Sequence, residues 1–146
     1  MLYHKIINMK HKVNTSWIGD MQFDALVSNH HLIMDAVPEA GGQDKGPRPK
    51  ELMLASLAGC TGMDVISILQ KMRINVEAFD IEVEADLTEG HPKHYSAMHI
   101  IYKFRGKDLD IDMLEKAVEM SQVRYCGVSA AYRKAMDLTY EIKELK

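Results

Sequence analysis

The 146-residue chain is 47% hydrophobic and 27% charged, which predicts one compact domain, residues 1–146, with a sizeable core. Its formal net charge of -3 argues against general electrostatic binding of nucleic acid or of a membrane surface. Residues 1–13 lack the apolar segment and cleavage site of a signal peptide, and no run of about 18 apolar residues is uninterrupted, so we expect a cytoplasmic protein without a membrane-spanning helix.

The first predicted elements are short strands within residues 11–36. Apolar residues alternate loosely with polar ones there, and the pairs Gly19-Asp20 and Ser28-Asn29 supply turn residues between the strands. This pattern predicts a three-stranded antiparallel meander. Residues 37–49 are rich in glycine and proline and are predicted to form a loop.

A long apolar helix is predicted from Leu52 to Met72. Pro49 fits the turn that starts it, because the missing N–H has no helical partner there, and Glu51 complements the helix dipole. Apolar side chains cover almost every side of this helix, and such a helix is usually buried on all sides. Because a chain of this length has few elements to cover it, we expect a second copy to do so, in a homodimer.

The second half of the chain alternates between strands and helices, and its order βββ-α-ββ-α-α-β with the first half indicates an α+β fold. The predicted elements are a half-buried strand at 76–88, its antiparallel partner at 95–106, a helix starting at Asp110 or Asp112, a helical segment at 127–136 and a strand at 138–142.

Two cysteines are the candidate reactive residues. Cys60 lies at the middle of the long helix, and Cys126 lies near a predicted break between two helical segments. In a reducing compartment such a pair is more often buried, catalytic or redox-sensing than a structural disulfide. A buried cysteine can also be a simple small hydrophobe, so the residues alone leave these interpretations open.

The segments GPRPKELMLASLAGCTGMDVISILQKM (46–72) and VRYCGVSAAYRKAMDLTYEI (123–142) together resemble the OsmC/Ohr family of hydroperoxide-resistance proteins, and most closely its poorly characterised OsmC-like subgroup. The resemblance runs from about Trp17 to Ile142. It implies an intertwined homodimer with curved antiparallel sheets around two central helices. It also implies thiol-dependent reduction of organic hydroperoxides, in which Cys60 attacks the peroxide and Cys126 resolves the sulfenic acid as a disulfide that an external dithiol reduces.

The groups that would activate the thiol differ from those of the family. Active members use an arginine from the N-terminal strand region and a glutamate that orients it, whereas residues 1–47 contain no arginine and Lys50 stands at the glutamate position. Arg48 and Lys50 are the nearest cations in sequence. On an ideal helix Lys50 lies about 80° from Cys60 and Glu51 about half a turn away, so Lys50 is predicted to lie nearer the thiol.

Asp64 and Arg124 complete the candidate site. Asp64 stands four residues after Cys60 and should share its helix face, where a carboxylate disfavours the thiolate. Arg124, two residues before Cys126, is the candidate cation to pair with that carboxylate. No zinc-binding or nucleotide-binding motif occurs and the seven histidines offer no clear ligand set, so we expect no metal and no cofactor.

Two functions remain open at this point. The first is a cysteine peroxidase, for which the methionine- and leucine-rich surroundings favour an apolar organic hydroperoxide. It predicts that Cys60 and Cys126 form a disulfide on oxidation, with segment 124–127 moving. The second is a non-catalytic protein of the same fold that holds a small hydrophobic or thiol-reactive ligand in the dimer pocket, and the missing arginine favours it.

Overall fold

A computed structural model describes residues 10–145 of the chain, so residues 1–9, where no signal peptide was expected, lie outside the described part. The chain divides into two compact units, one ending at Leu52 and one beginning at Met53. Helices and sheets occur in the predicted order, which confirms the α+β class. That residues 1–146 act as one domain stays a prediction.

The first unit is built on the predicted antiparallel meander, in the order β1-β2-β3. The turns fall at the expected pairs, where Asp20, Ser28 and Asn29 adopt left-handed backbone conformations with φ of 45°, 49° and 65°. Asn and Asp tolerate this conformation better than most residues, because their short polar side chains bond locally. The strands are β1 (Asn14–Gly19), β2 (Gln22–Val27) and β3 (His30–Met34).

A buried carboxylate, Asp35, organises the loop that follows β3. Its side chain is 2% exposed and accepts hydrogen bonds from the backbone N–H groups of Ala36 at 2.8 Å and of Gln43 and Lys45 at 3.1 Å. Burial by itself would raise the pKa of Asp35, but the three N–H donors and the nearby Arg48 guanidinium outweigh it and lower that pKa. A loop rich in glycine and proline is thereby fixed in one conformation. One 3₁₀ turn, Pro38–Ala40, lies within this loop, and a second, Pro49–Glu51, stands at its end.

The second unit contains a three-stranded sheet in the order β4-β5-β6. The pairing of β4 with β5 is antiparallel, as predicted, but β6 runs parallel to β5. The expectation of purely antiparallel sheets is therefore wrong for this pair. A parallel pair needs a long crossover, and the helices between β5 and β6 provide one. The strands are β4 (Ala78–Leu87), β5 (Tyr95–Arg105) and β6 (Asp137–Glu144).

Three helices accompany this sheet, and the sequence predicted where each begins. Asp110 caps the second helix by accepting the N–H of Met113 at 3.3 Å, in agreement with the predicted start. A π-helical turn, Ser121–Tyr125, follows that helix directly and ends at Cys126. The helices are α1 (Leu52–Lys71), α2 (Ile111–Met120) and α3 (Gly127–Tyr132).

The core of the second unit is formed by side chains of the central strand and of the helices. Strand β5 is buried on both faces over Ile100, Ile101 and Tyr102, as a central strand should be. The core cluster consists of Leu57, Val65, Ile68 and Leu69 of α1, Tyr95, Met98, Ile100, Tyr102 and Phe104 of β5, Leu114, Ala117 and Val118 of α2, and Cys126.

Helix α1 buries one face within the chain, although its sequence predicted burial on every side. Leu57, Thr61 and Val65 are fully buried, whereas Met63 is 78% exposed. The segment Pro49–Lys71 is long and apolar enough to cross a membrane by length and composition, although polar residues interrupt it, and 28% of its most apolar stretch is buried. Core helices of soluble proteins meet the same criterion, so this is weak evidence for a membrane role.

Candidate active site

Cys60 lies near the middle of α1, with its side chain half-buried. Its backbone is held by helical hydrogen bonds, so the position from which the side chain extends is fixed. Asp64 follows one helical turn later and is also half-buried. Because residues four apart share a helix face, the carboxylate and the thiol come together as predicted.

Cys126 lies where the π-helical turn ends and α3 begins. Its extended backbone (φ -72°, ψ 100°) confirms the predicted break between helical segments. The residue is the N-cap of α3, and its Sγ accepts the backbone N–H of Ser129 at 3.3 Å. Cys126 is 3% exposed, so this sulfur is held inside the unit by the start of a helix.

The two sulfur atoms and a carboxylate oxygen of Asp64 lie within 4.8 Å of one another. Both cysteines are free thiols. A disulfide needs an S–S distance of about 2.05 Å, so a modest movement of one side chain would join them. The fold therefore brings together two cysteines that lie 66 positions apart in the sequence, with Asp64 as the third member.

The environment of Cys60 favours the protonated thiol. Burial raises the pKa of Cys60, the backbone N–H of Val128 acts in the opposite direction, and the neighbouring Cys126 and the Asp64 carboxylate raise it further. At neutral pH the thiolate is therefore the minor form. This agrees with the expectation that a carboxylate at this position works against thiolate formation.

A buried hydrogen-bond network connects Asp64 to the core. The Ser121 hydroxyl donates to Asp64 Oδ2 at 3.1 Å and lies 2.8 Å from the Thr61 hydroxyl. Thr61 is in turn 2.6 Å from the Tyr102 hydroxyl, which also accepts a hydrogen bond from Gln122 Nε2 at 2.7 Å. Buried polar networks of this kind fix the positions of their members when every partner is satisfied.

The outer end of the network is a guanidinium. Arg133 donates to the backbone oxygen of Gln122 at 2.9 Å and to its Oε1 at 2.8 Å. These bonds orient the amide so that its NH₂ group faces the Tyr102 hydroxyl. Burial raises the pKa of Tyr102 to about 12, although its bonds to Thr61 and Gln122 oppose the rise.

The cations named from the sequence have other partners. Arg124 is exposed, and its guanidinium lies 5.8 Å from the ring centroid of Tyr125. Among residues 10–145 no cation forms an ion pair with Asp64, so the pairing predicted for Arg124 is wrong. The charged Arg124 side chain stays at the surface, while Cys126, two residues later, is buried.

The roles predicted for the charged residues before α1 stay predictions. Arg48 donates to Asp44 at 2.5 Å and to the Gly46 carbonyl at 2.7 Å. Lys50 and Glu51 occupy the 3₁₀ turn Pro49–Glu51, with Glu51 as the acidic residue of that first turn. That Lys50 lies nearer the thiol than Glu51, and that Arg48 supports the site, stay predictions.

A small cavity of about 260 Å³ lies beside the cluster, with Asp64 in its wall. Met72 and Met120 supply an apolar part of the wall, while Ser67 and Lys71 supply polar atoms. Such mixed walls suit a small molecule with an apolar chain and one polar end.

Sequence reasoning missed the buried network. Thr61 shares the core face of α1 with Leu57 and Val65, and a polar residue on a core face must find a hydrogen-bond partner. That signal pointed to a network. It could not identify Ser121 or Tyr102 as the partners, because they are distant in sequence and are brought close only by the fold.

The comparisons with known proteins all point to one protein family. The family model for OsmC-like proteins matches residues 42–141. Protein YhfA of Escherichia coli K12 is 28% identical over 130 residues, which are 88% of this chain and 94% of that protein. A hypothetical protein from Aquifex aeolicus VF5 is 30% identical, with a TM-score of 0.79 over 94% of this chain and 99% of that chain. The organic hydroperoxide resistance protein OhrB of Bacillus subtilis shares the fold at 20% identity, with a TM-score of 0.65 over 92% and 98% of the two chains.

Proposed function

Because the chain belongs to the OsmC family, which supports a redox, stress-related role, we propose that it is a two-cysteine peroxidase that reduces organic hydroperoxides. Cys60 is the attacking thiol and Cys126 is the resolving thiol. The observation that carries the proposal is that both sulfurs lie within 4.8 Å of each other as free thiols.

In the first step the Cys60 thiolate attacks one oxygen of the hydroperoxide. An S–O bond forms, the O–O bond breaks, and the alkoxide leaves and takes a proton from water to become the alcohol. The sulfur is oxidised to a sulfenic acid while the peroxide is reduced. The N–H of Val128 supports this step because it is the group that favours the thiolate over the thiol.

In the second step Cys126 attacks the sulfenic sulfur. The disulfide forms and the hydroxyl leaves as water, with the thiol proton of Cys126. An external dithiol then returns both cysteines to thiols and is itself oxidised to a disulfide. Cys126 is suited to the moving role because its extended backbone lies between two helical segments, whereas Cys60 is fixed within α1.

The cavity beside Asp64 supports the proposed substrate class. The cavity beside Asp64 has methionine and isoleucine side chains in its wall, so an alkyl chain would be removed from water there. Hydrogen peroxide has no such chain. We therefore expect an alkyl hydroperoxide to react faster than hydrogen peroxide at equal concentration.

The test is oxidation followed by disulfide mapping. The reduced protein is treated with one equivalent of an alkyl hydroperoxide, and its peptides are analysed by mass spectrometry without reduction. An intrachain Cys60–Cys126 disulfide is expected. It should be absent from Cys60→Ser and replaced by over-oxidised Cys60 in Cys126→Ser. Retention of both thiols under excess peroxide would overturn the proposal.

A second candidate function has its own support. Burial and Asp64 raise the pKa of Cys60, which disfavours the nucleophilic form. The first unit also holds an apolar cavity of about 410 Å³, lined by Met21, Phe23 and Val37 among others. A non-catalytic protein that holds a small hydrophobic ligand is therefore the alternative. Free thiols under excess peroxide, together with saturable binding of an apolar fluorescent probe, would favour it.

A further inference from the structure

The cysteine pair and Asp64 form a set of three ligand atoms that the peroxidase proposal does not fully use. The two sulfurs and the carboxylate oxygen lie within 4.8 Å of one another, and all three side chains are at least half-buried. When all three are ionised the set carries three negative charges. Among the described residues, no cation pairs with Asp64. A carboxylate placed beside two thiols works against a peroxidase, but it is an ordinary third ligand for a metal ion.

We propose that Cys60, Cys126 and Asp64 bind one Zn²⁺ ion per chain when both cysteines are reduced. This goes beyond the proposed peroxidase activity and does not depend on it, because metal binding needs only the three donors. It departs from the expectation of no metal site, which rested on the absence of short zinc motifs. Here the ligands come from two distant segments that the fold joins.

The distances suit a tetrahedral zinc site after a small adjustment. With zinc–sulfur bonds of about 2.3 Å and a zinc–oxygen bond of about 2.1 Å, tetrahedral ligand atoms lie about 3.6–3.8 Å apart. The three ligand atoms now lie within 4.8 Å of one another, so each distance between them must shorten by about 1 Å at most. Cys126 can supply this movement because it lies at a break between helical segments.

Hydrogen bonds already orient Asp64 and Cys126, and a backbone N–H faces the Cys60 sulfur. The Ser121 hydroxyl donates to Asp64 Oδ2, and a carboxylate with two acceptor oxygens can keep this bond while it ligates a metal. The Ser129 N–H donates to the Cys126 sulfur, and the Val128 N–H acts on Cys60. Outer partners of this kind fix the orientation of metal ligands and are a regular part of metal sites.

The donor set selects the class of metal. Two thiolates with one carboxylate suit zinc and disfavour magnesium and calcium, which prefer oxygen ligands only. Three protein ligands leave a fourth position for water or an exogenous ligand. A bound zinc ion would occupy both sulfurs, so it would block alkylation and peroxide attack at the same time.

The experiment uses the full chain, reduced and freed of metal by a chelator that is then removed. Titration with Zn²⁺ is followed by calorimetry, and titration with Co²⁺ by absorption. We expect one ion per chain, a thiolate-to-cobalt charge-transfer band, and visible bands of tetrahedral intensity. Zn²⁺ should also protect both cysteines from iodoacetamide.

Variants separate the site from general metal binding. Asp64→Asn should weaken Zn²⁺ binding by more than the roughly 10–100-fold that loss of an outer partner causes. Cys126→Ser should abolish the tetrahedral cobalt spectrum. Asp86→Asn, which removes an exposed carboxylate on β4, should bind as the wild type does. Circular dichroism checks that each variant is folded. If Asp64→Asn does not fold, Ser121→Ala takes its place and should show a smaller loss of Zn²⁺ affinity.

The outcomes distinguish this inference from the peroxidase proposal. Wild-type protein that shows no charge-transfer band, or equal zinc affinity in Asp64→Asn and Asp86→Asn, overturns the metal site. Disulfide formation is measured separately, with chelator present. Zinc binding without disulfide formation would refute only the peroxidase, and the reverse result would refute only the metal site.

Discussion

Replacing Asp64 with asparagine should lower the pKa of the Cys60 thiol. Asparagine keeps the size of the side chain and an oxygen that can accept the Ser121 hydrogen bond, but it removes the negative charge. That charge is one of the causes that raise the pKa of Cys60. The test is best made in the Cys126→Ser background, where one thiol titrates and serine can still cap α3.

The magnitude follows from the distance and the exposure. Two unit charges 4.8 Å apart repel by about 0.9 kcal/mol at the dielectric constant of water and by about 3.5 kcal/mol at an effective value near 20. Cys60 and Asp64 are both partly exposed, so the lower figure is the appropriate minimum. It corresponds to about fourfold more thiolate at neutral pH.

The reaction rate should rise less than the thiolate fraction. Nucleophilicity falls as the pKa falls, with a slope of about 0.4–0.5, so the alkylation rate at neutral pH should increase about twofold. The pKa is read from thiolate absorbance against pH, with chelator present, and the rate from iodoacetamide labelling. Asp86→Asn is the matched control and should change neither. A Cys60 pKa in Asp64→Asn that equals or exceeds that of the parent would refute the electrostatic argument.

Thr61→Val should lower the free energy of unfolding by about 1–3 kcal/mol, because the buried Tyr102 hydroxyl loses a partner. Thr61→Ser keeps the hydroxyl and should unfold in urea much closer to the wild type. Equal urea midpoints for Thr61→Val and Thr61→Ser would contradict this. Light scattering should give the wild type the mass of a homodimer, twice the 16.6 kDa chain mass. Met63→Lys should shift the protein to monomer, because a charge replaces an apolar side chain that is 78% exposed. A monomer mass for the wild type at micromolar concentration would refute the dimer prediction. Because the pKa of Asp35 is lowered in the fold, the stability it contributes is present above the unfolded-state pKa and lost as pH falls through the folded-state value; the stability difference between wild type and Asp35→Asn should therefore shrink in acid, and a constant difference would speak against this.

Features that depend on local sequence were predictable. The turn pairs around Asp20 and Ser28, the cap at Asp110 and the break at Cys126 all lie where residue chemistry places them. Each involves a residue and its close neighbours in the chain, so the physical cause is contained in a short segment. The proximity of Cys60 and Asp64 was predictable for the same reason, since both lie on one helix face.

Features that depend on distant segments were not predictable in the same way. The parallel direction of β6 arises from a crossover of two helices, and no residue within the strand carries that information. The network that joins Thr61, Ser121 and Tyr102 depends on three elements meeting in the core. The meeting of Cys60 with Cys126 was anticipated through resemblance to a family, and helical spacing alone could not have given it.

The capping role of Cys126 connects sulfur chemistry to the end of the chain. Helix α3 has six residues, too few to be stable alone, and its first turn depends on the bond from the Ser129 N–H to the Cys126 sulfur. If that sulfur turns towards Cys60, the bond is lost and the start of α3 is released. Helix α3 leads directly into β6, which is an edge strand held by β5. Amide hydrogens of residues 127–144 should then exchange faster in the oxidised protein. Oxidation of the two thiols would thereby loosen the last helix and the last strand.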